Sequence, residues 1–191
     1  MRRKVPTGWA DCPVGGRLLY KFMPIKTPLG EFYDNKVEPL KRFHPIDILK
    51  LAEREDVEIG LLIDLTNTDK YYSDEEICGL GCKYEKLKCL GNGRVPTPEH
   101  VGTTLNIIDD HIKQNLNGCI AIHCTYGFNR SGFIIVAYLV ERMNIPVEEA
   151  IARFAECRPP GIYRYGYIRE LYKRYGDPDN IPPVPTQPLW L

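Results

Sequence analysis

The chain has 191 residues, and its 25 Lys plus Arg are matched by 25 Asp plus Glu, for a formal net charge of zero. That length suits one domain burying most of its unfolded surface in a single core. The balanced charge excludes the broad basic face of a protein that tracks along nucleic acid, so any RNA contact is expected at one end of the polymer.

Taken in order, Met1 to Pro6 contains no apolar signal core, and the seven cysteines are an odd number. Both point to a reducing, intracellular compartment. Ile59 to Leu65 reads as a near-continuous apolar strand, and Cys82 to Cys89 as a weaker alternating one. Cys78, Cys82 and Cys89 lack a second ligand pair at zinc-site spacing, so they read as structural thiols with Cys12, Cys119 and Cys157. Val101, Leu105, Ile108 and Ile112 mark one face of a helix, with Thr97 as N-cap and Pro98 at its first position. Asp109, Asp110 and Lys113 fall off that face and read as solvated. Gly118 punctuates entry to the strand Cys119 to His123.

Downstream, Ser131 to Met143 reads as a buried helix. It contains the longest apolar run, Phe133 to Val140, which is too short to span a bilayer, so no membrane is expected. Val147, Ala150, Ile151 and Phe154 mark the next helix, and Ile168, Leu171, Tyr172 and Tyr175 the last, with Pro159-Pro160-Gly161 between them. Arg153, Arg158, Arg164, Arg169, Lys173 and Arg174 gather here, interleaved with Glu148, Glu149, Glu156 and Glu170. Asp177 to Leu191 holds five of the sixteen prolines and no periodicity, which predicts an extended tail or linker. Alternating strands and helices predict a single α/β domain over residues 1–176, with a central, mostly parallel, twisted sheet flanked by helices.

The most informative segment is His123-Cys124-Thr125-Tyr126-Gly127-Phe128-Asn129-Arg130-Ser131-Gly132. A buried strand enters a tight Gly-bearing turn and then a helix start. Amides from Thr125 to Arg130 can converge as a nest, and the helix terminus adds roughly half a positive charge. Thr125, Tyr126, Gly127, Phe128, Asn129 and Arg130 are therefore candidate phosphate-binding residues. A thiolate at Cys124 would be stabilised by the same amides and ionise below the free value of about 8.5. Arg130 supplies a planar fork for phosphate oxygens. A cysteine ending an apolar strand is often only a small core residue. Here the spacing is that of the Cys-x5-Arg phosphatase loop in its strand-to-helix setting, and a Walker-type Gly-Lys-Ser/Thr ending is missing.

Other candidates surround this loop. Ser131 can assist departure of the Cys124 sulfur, Asn129 can brace the loop, and His123 can hold its backbone. Tyr126 and Phe128 can wall the pocket. Asp64 ends an apolar strand near the site; it could donate a proton, orient Arg130, or cap a turn through Thr66 and Asn67. Arg158 could contact an α- or β-phosphate, or form a surface salt bridge.

The loop, together with Asp64-Leu65-Thr66-Asn67-Thr68, Arg158-Pro159-Pro160-Gly161-Ile162-Tyr163, Arg174-Tyr175-Gly176-Asp177, Arg42-Phe43-His44-Pro45 and Trp9 to Pro13, resembles the RNA 5′-triphosphatase domain of metazoan-type mRNA capping enzymes. That is a branch of the cysteine-phosphatase superfamily. The resemblance implies a cysteine-phosphatase fold and removal of the γ-phosphate from nascent RNA through a phosphocysteine, without metal or other cofactor. It also implies a nuclear location, a guanylyltransferase domain and transcribing RNA polymerase II as partners. The chain itself has no Lys-x-Asp-Gly nucleotidylation motif, so the triphosphatase portion alone is expected.

Residue chemistry bears on this separately. Cys89 to Thr97, where many tyrosine and dual-specificity phosphatases carry a general-acid aspartate, contains no carboxylate. A phosphotyrosine or phosphoserine leaving group benefits strongly from a proton donor, whereas a β-phosphate departs with little help. The alternatives are a protein phosphatase, a general RNA 5′-phosphatase, and an inactive module that binds phosphorylated ends. Intact Cys124, Arg130 and Ser131 speak against the last.

Overall fold

The computed structural model describes residues 4–91, 93–114 and 118–191. Met1 to Arg3 of the N-terminal reading and Asn92 of the carboxylate-free segment lie outside the described residues. Four parallel strands form one sheet in the order β1-β4-β2-β3: β1 Phe22–Ile25, β2 Glu58–Asp64, β3 Lys83–Lys86 and β4 Gly118–His123. Helices are α1 Asp47–Arg54, α2 Asp74–Cys78, α3 Pro98–Gln114, α4 Asn129–Met143, α5 Val147–Cys157 and α6 Tyr165–Tyr175.

The sheet is covered on both faces, as a parallel sheet requires. On β4, Ile120 and Ile122 join the core shared with α3 to α6, while Cys119 and Ala121 face the N-terminal layer containing Trp9, Tyr33 and Ile48. On β2, Leu61 and Ile63 join the first core and Leu62 the second. An irregularity between Ile59 and Leu61 resets the pairing at Gly60. Beyond it Asp64 and His123 are directly opposed on the N-terminal-layer face. Leu65 and Cys124 go to the other core. The period-2 alternation of strands therefore separates the Asp64 carboxylate from the thiol.

The predicted helix cap is formed: His100 N donates to Thr97 Oγ1 at 3.2 Å. Strand β3 is shorter than Cys82 to Cys89, as an edge strand paired, among the described residues, with β2 alone can be. Residues 177–191 contain no helix or strand, yet they do not hang free. Ile181 and Val184 pack on the main core, and Trp190 and Leu191 pack with Tyr126 around Cys12, Phe128 and Tyr163.

Candidate active site

The loop from β4 to α4 forms the floor of a cavity of about 280 Å³, lined by Cys124, Thr125, Tyr126, Phe128, Asn129, Arg130, Gly91, Tyr163, Arg164 and Tyr167. Gly127 takes φ +76°, and a Cβ there would stand 2.2 Å from Ile25 O. Only glycine meets both conditions.

Cys124 is 5% exposed. Burial alone would raise its pKa, but Arg130, the Ser131 hydroxyl and the amides of Ser131 and Tyr126 outweigh it and hold the thiol at about 7. The other buried cysteines go the opposite way: burial pushes Cys12 to about 11 and Cys157 to about 12, and raises Cys82, Cys89 and Cys119. One buried thiol in seven cysteines is thus prepared as a nucleophile. Ser131 Oγ is buried with no other protein partner in the resting site, which leaves its hydroxyl free to turn toward the sulfur.

Arg130 is pre-aimed by acceptors that leave part of its fork open. Its Nη1 donates to Leu65 O at 2.8 Å and Cys89 O at 2.9 Å, and its Nη2 to Thr125 Oγ1 at 3.1 Å. Asn129 Oδ1 accepts from Tyr163 N at 3.2 Å and Arg164 N at 3.0 Å, tying the segment after α5 to the loop. His123 Nδ1 lies 3.0 Å from Cys124 O. A carbonyl only accepts, so Nδ1 carries the hydrogen; Nε2 lies 2.6 Å from the Tyr72 hydroxyl, which itself donates to Asp64 Oδ2 at 3.0 Å. Burial lowers the His123 pKa, against the opposing pull of the neighbouring Asp64 carboxylate.

Asp64 needs correction as a catalytic acid. It lines a separate cavity of about 330 Å³ with Tyr72, Tyr84, Asp69 and Lys86, sharing no lining residue with the Cys124 cavity. Its carboxylate accepts from Lys86 Nζ at 2.7 Å, Tyr84 Oη at 3.1 Å and Thr66 N at 2.7 Å. Burial pushes its pKa up, but His123 and Lys86 win and hold it below the usual carboxylate range. A proton donor needs the reverse. Nor does it orient Arg130, which is held by Leu65 O. The Thr66 amide makes Asp64 the cap of the turn.

Arg158 is also corrected. It is 1% exposed and reaches neither the cavity nor a surface carboxylate. Its Nη2 donates to Pro13 O and Tyr126 O, both at 2.8 Å, and the guanidinium lies 4.4 Å from the Phe128 ring centroid. It braces the loop from beneath. Lys26 does similar work, donating to Trp9 O and Cys12 O at 3.0 Å while the next amide, Thr27 N, reaches Thr125 O at 3.1 Å.

Four residues of consequence were not singled out from sequence. Arg164, Tyr163 and Tyr167 line the cavity, and Lys26 is buried below it. Arg164 is exposed, and among the described residues it makes no ion pair. Sequence showed it only as one of several late basic residues. No group of three or more His, Cys, Asp or Glu placed to hold a metal occurs among the described residues.

A doubly covered parallel sheet, with a low-pKa cysteine and an arginine fork at the strand-to-helix loop, defines a cysteine-dependent phosphatase. The chain belongs to the dual-specificity phosphatase family, whose description "Dual specificity phosphatase, catalytic domain" matches residues 46–176. It is 44% identical over 186 residues to an mRNA-capping enzyme of Danio rerio, covering 97% of this chain and 31% of that protein. The chain thus spans about a third of that relative's length. It is 36% identical to the RNA/RNP complex-1-interacting phosphatase homolog of Caenorhabditis elegans, covering 91% of this chain and 79% of the relative. Among solved structures, Tk-PTP in the active form shares the fold at a TM-score of 0.65 and 17% identity, covering 85% of this chain and 95% of that one.

Proposed function

We propose that this phosphatase removes the γ-phosphate from the 5′-triphosphate end of RNA, the first step of mRNA cap formation. The Cys124 thiolate attacks the γ-phosphorus, the bond to the β–γ bridging oxygen breaks, and a diphosphate end leaves. Water then cleaves the phosphocysteine, with the Ser131 hydroxyl stabilising the departing thiolate. Arg130 and the loop amides carry the charge that develops on the equatorial oxygens, so the reaction is expected to run without added metal.

The observation that carries this reading is the chemistry of the cavity lining. It holds two arginines, Arg130 and Arg164, and no carboxylate. A pocket lined by no carboxylic acid suits a leaving group that needs no strong proton donor, and a second cation beyond the catalytic fork suits a polyphosphate. The identity with capping enzymes supports the same substrate. A nuclear location, a guanylyltransferase domain and RNA polymerase II as a partner follow from it as parts of the proposal.

The test is a comparison of kcat/KM on γ-labelled triphosphate RNA and on a phosphotyrosine peptide, with EDTA throughout. Strong preference for RNA is expected. In the same assay Arg164→Ala should raise KM for the triphosphate end by about tenfold with little change for a monophosphate ester. Equal activity on the peptide, or strict dependence on divalent metal, would make the protein-phosphatase reading the better one.

A further inference from the structure

The segment after α6 returns to the catalytic loop. Ile181 and Val184 lean on the main core. The Trp190 indole then lies 5.5 Å from the Tyr126 ring and 6.0 Å from the Phe128 ring. Tyr126 is gripped on another side as well, its hydroxyl donating to Thr7 O at 2.7 Å. The segments around Gly8 and Trp190 meet at this place: a Cβ on Gly8 would stand 2.0 Å from Trp190 O. Aromatic contacts thus tie the Trp190 segment to the loop that holds the nucleophile.

We propose that Trp190 is a positioning residue for the phosphate-binding loop, holding Tyr126 and Phe128 in place so that the Tyr126 amide stays aimed at the Cys124 sulfur. The proposal rests on Cys124 as the nucleophile, and not on which phosphate ester or anhydride is cleaved. The path is short. Trp190 touches the Tyr126 ring, and the Tyr126 amide is one of the donors that stabilise the thiolate. Arg158 holds the Tyr126 carbonyl from beneath, so Trp190 restrains from outside what Arg158 restrains from within.

The test reads the sulfur directly. Trp190→Ala, Trp190→Phe and wild type are treated with iodoacetamide across pH 5.5–9.5, and alkylation of the Cys124 peptide is followed by mass spectrometry. Cys124 is faced by Arg130 and Ser131 from α4, by Cys89, by Tyr126, Tyr163 and Tyr167, and by Cys12 and Arg158 below; none is substituted in these variants. Weakening one charge-assisted amide bond is worth up to about a tenfold change in thiolate fraction. The Ala variant should therefore alkylate more slowly at pH 7, its profile moving toward higher pH, and Phe should restore most of the difference. Gly8→Ala, which pushes on Trp190 from the other side, should move the profile the same way. The protein has two tryptophans, and Trp9 is wholly buried, so acrylamide quenching reports whether Trp190 is docked. A docked Trp190 whose removal leaves the Cys124 profile unchanged would overturn the proposal, as would a Trp190 quenched like a free indole in the wild type. Neither result touches the substrate reading, which stands or falls on the RNA assay.

Discussion

Asp64→Asn separates a structural carboxylate from a catalytic one. The substitution keeps an oxygen for the Thr66 amide but removes the anion that Lys86 approaches at 2.7 Å, in a site where the Asp64 side chain is 2% exposed. Breaking a buried ion pair from one side costs about 3–5 kcal/mol, because the remaining charge is left uncompensated. Lys86 keeps contacts to Thr66 Oγ1 and Thr68 O, which favours the lower end. For a domain of this size about 3 kcal/mol lowers Tm by about 6–12 °C. Burial raises the Asp64 pKa, yet the charges of His123 and Lys86 bring the folded value below the ordinary one. The stability it confers is therefore present above the unfolded carboxylate pKa, about 3.9, and is lost as pH falls through the folded value. The gap in Tm between wild type and Asn should accordingly narrow in acid. In the rate assay, aryl phosphates of graded leaving-group pKa should slow by a similar, modest factor. A steep leaving-group dependence in the variant that is absent from wild type would identify Asp64 as the general acid and refute the reasoning.

Cys124→Ser should abolish turnover while the protein stays folded and still binds triphosphate RNA, because no base activates a serine there; a tenth of wild-type rate would contradict the assignment. Arg130→Ala should lose both binding and rate, read as a rise in KM with a fall in kcat. Ser131→Ala removes a hydroxyl that favours the thiolate, so the acid limb of kcat/KM should move up by about one pH unit, with slower phosphocysteine hydrolysis seen as a larger burst; an unmoved limb would show that the hydroxyl does not act on the sulfur. Arg158→Met should preserve apolar packing against Phe128 yet release the Tyr126 and Pro13 carbonyls, lowering Tm and raising the Cys124 pKa together; loss of phosphate binding with an unchanged thiol would instead place Arg158 in the substrate site.

Much of the fold was legible because its signals are local. Ile59 to Leu65 and Cys119 to His123 are apolar enough to read as buried strands, and Thr97-Pro98 announces α3 by cap chemistry. β1 was not read, since Pro24 interrupts a four-residue segment that lies at the sheet edge beside β4. α2 was missed although Ser73 and Glu76 form a reciprocal capping box that sequence displays. In the site, Cys124, Arg130 and Ser131 share one turn, so spacing alone brings them together. Arg158 defeated the reading, and the choice among three roles for Asp64 stayed open until its turn cap was seen, because adjacency in sequence to a site does not say which sheet face a side chain takes or whether a basic residue is inside. Arg164 and Trp190 depend on long returns of the chain, tied by Asn129 and by aromatic contacts with no sequence period.

The central claim is that the γ-phosphate passes through the Cys124 sulfur. Rapid acid quench of wild-type protein mixed with γ-labelled triphosphate RNA in EDTA, followed by peptide mapping, tests it most directly. Label should appear on the peptide containing Cys124 within a turnover, decay as free phosphate accumulates, and be absent from Cys124→Ser. Release of labelled phosphate with no label on Cys124 at any time would contradict it, and so would label on another residue.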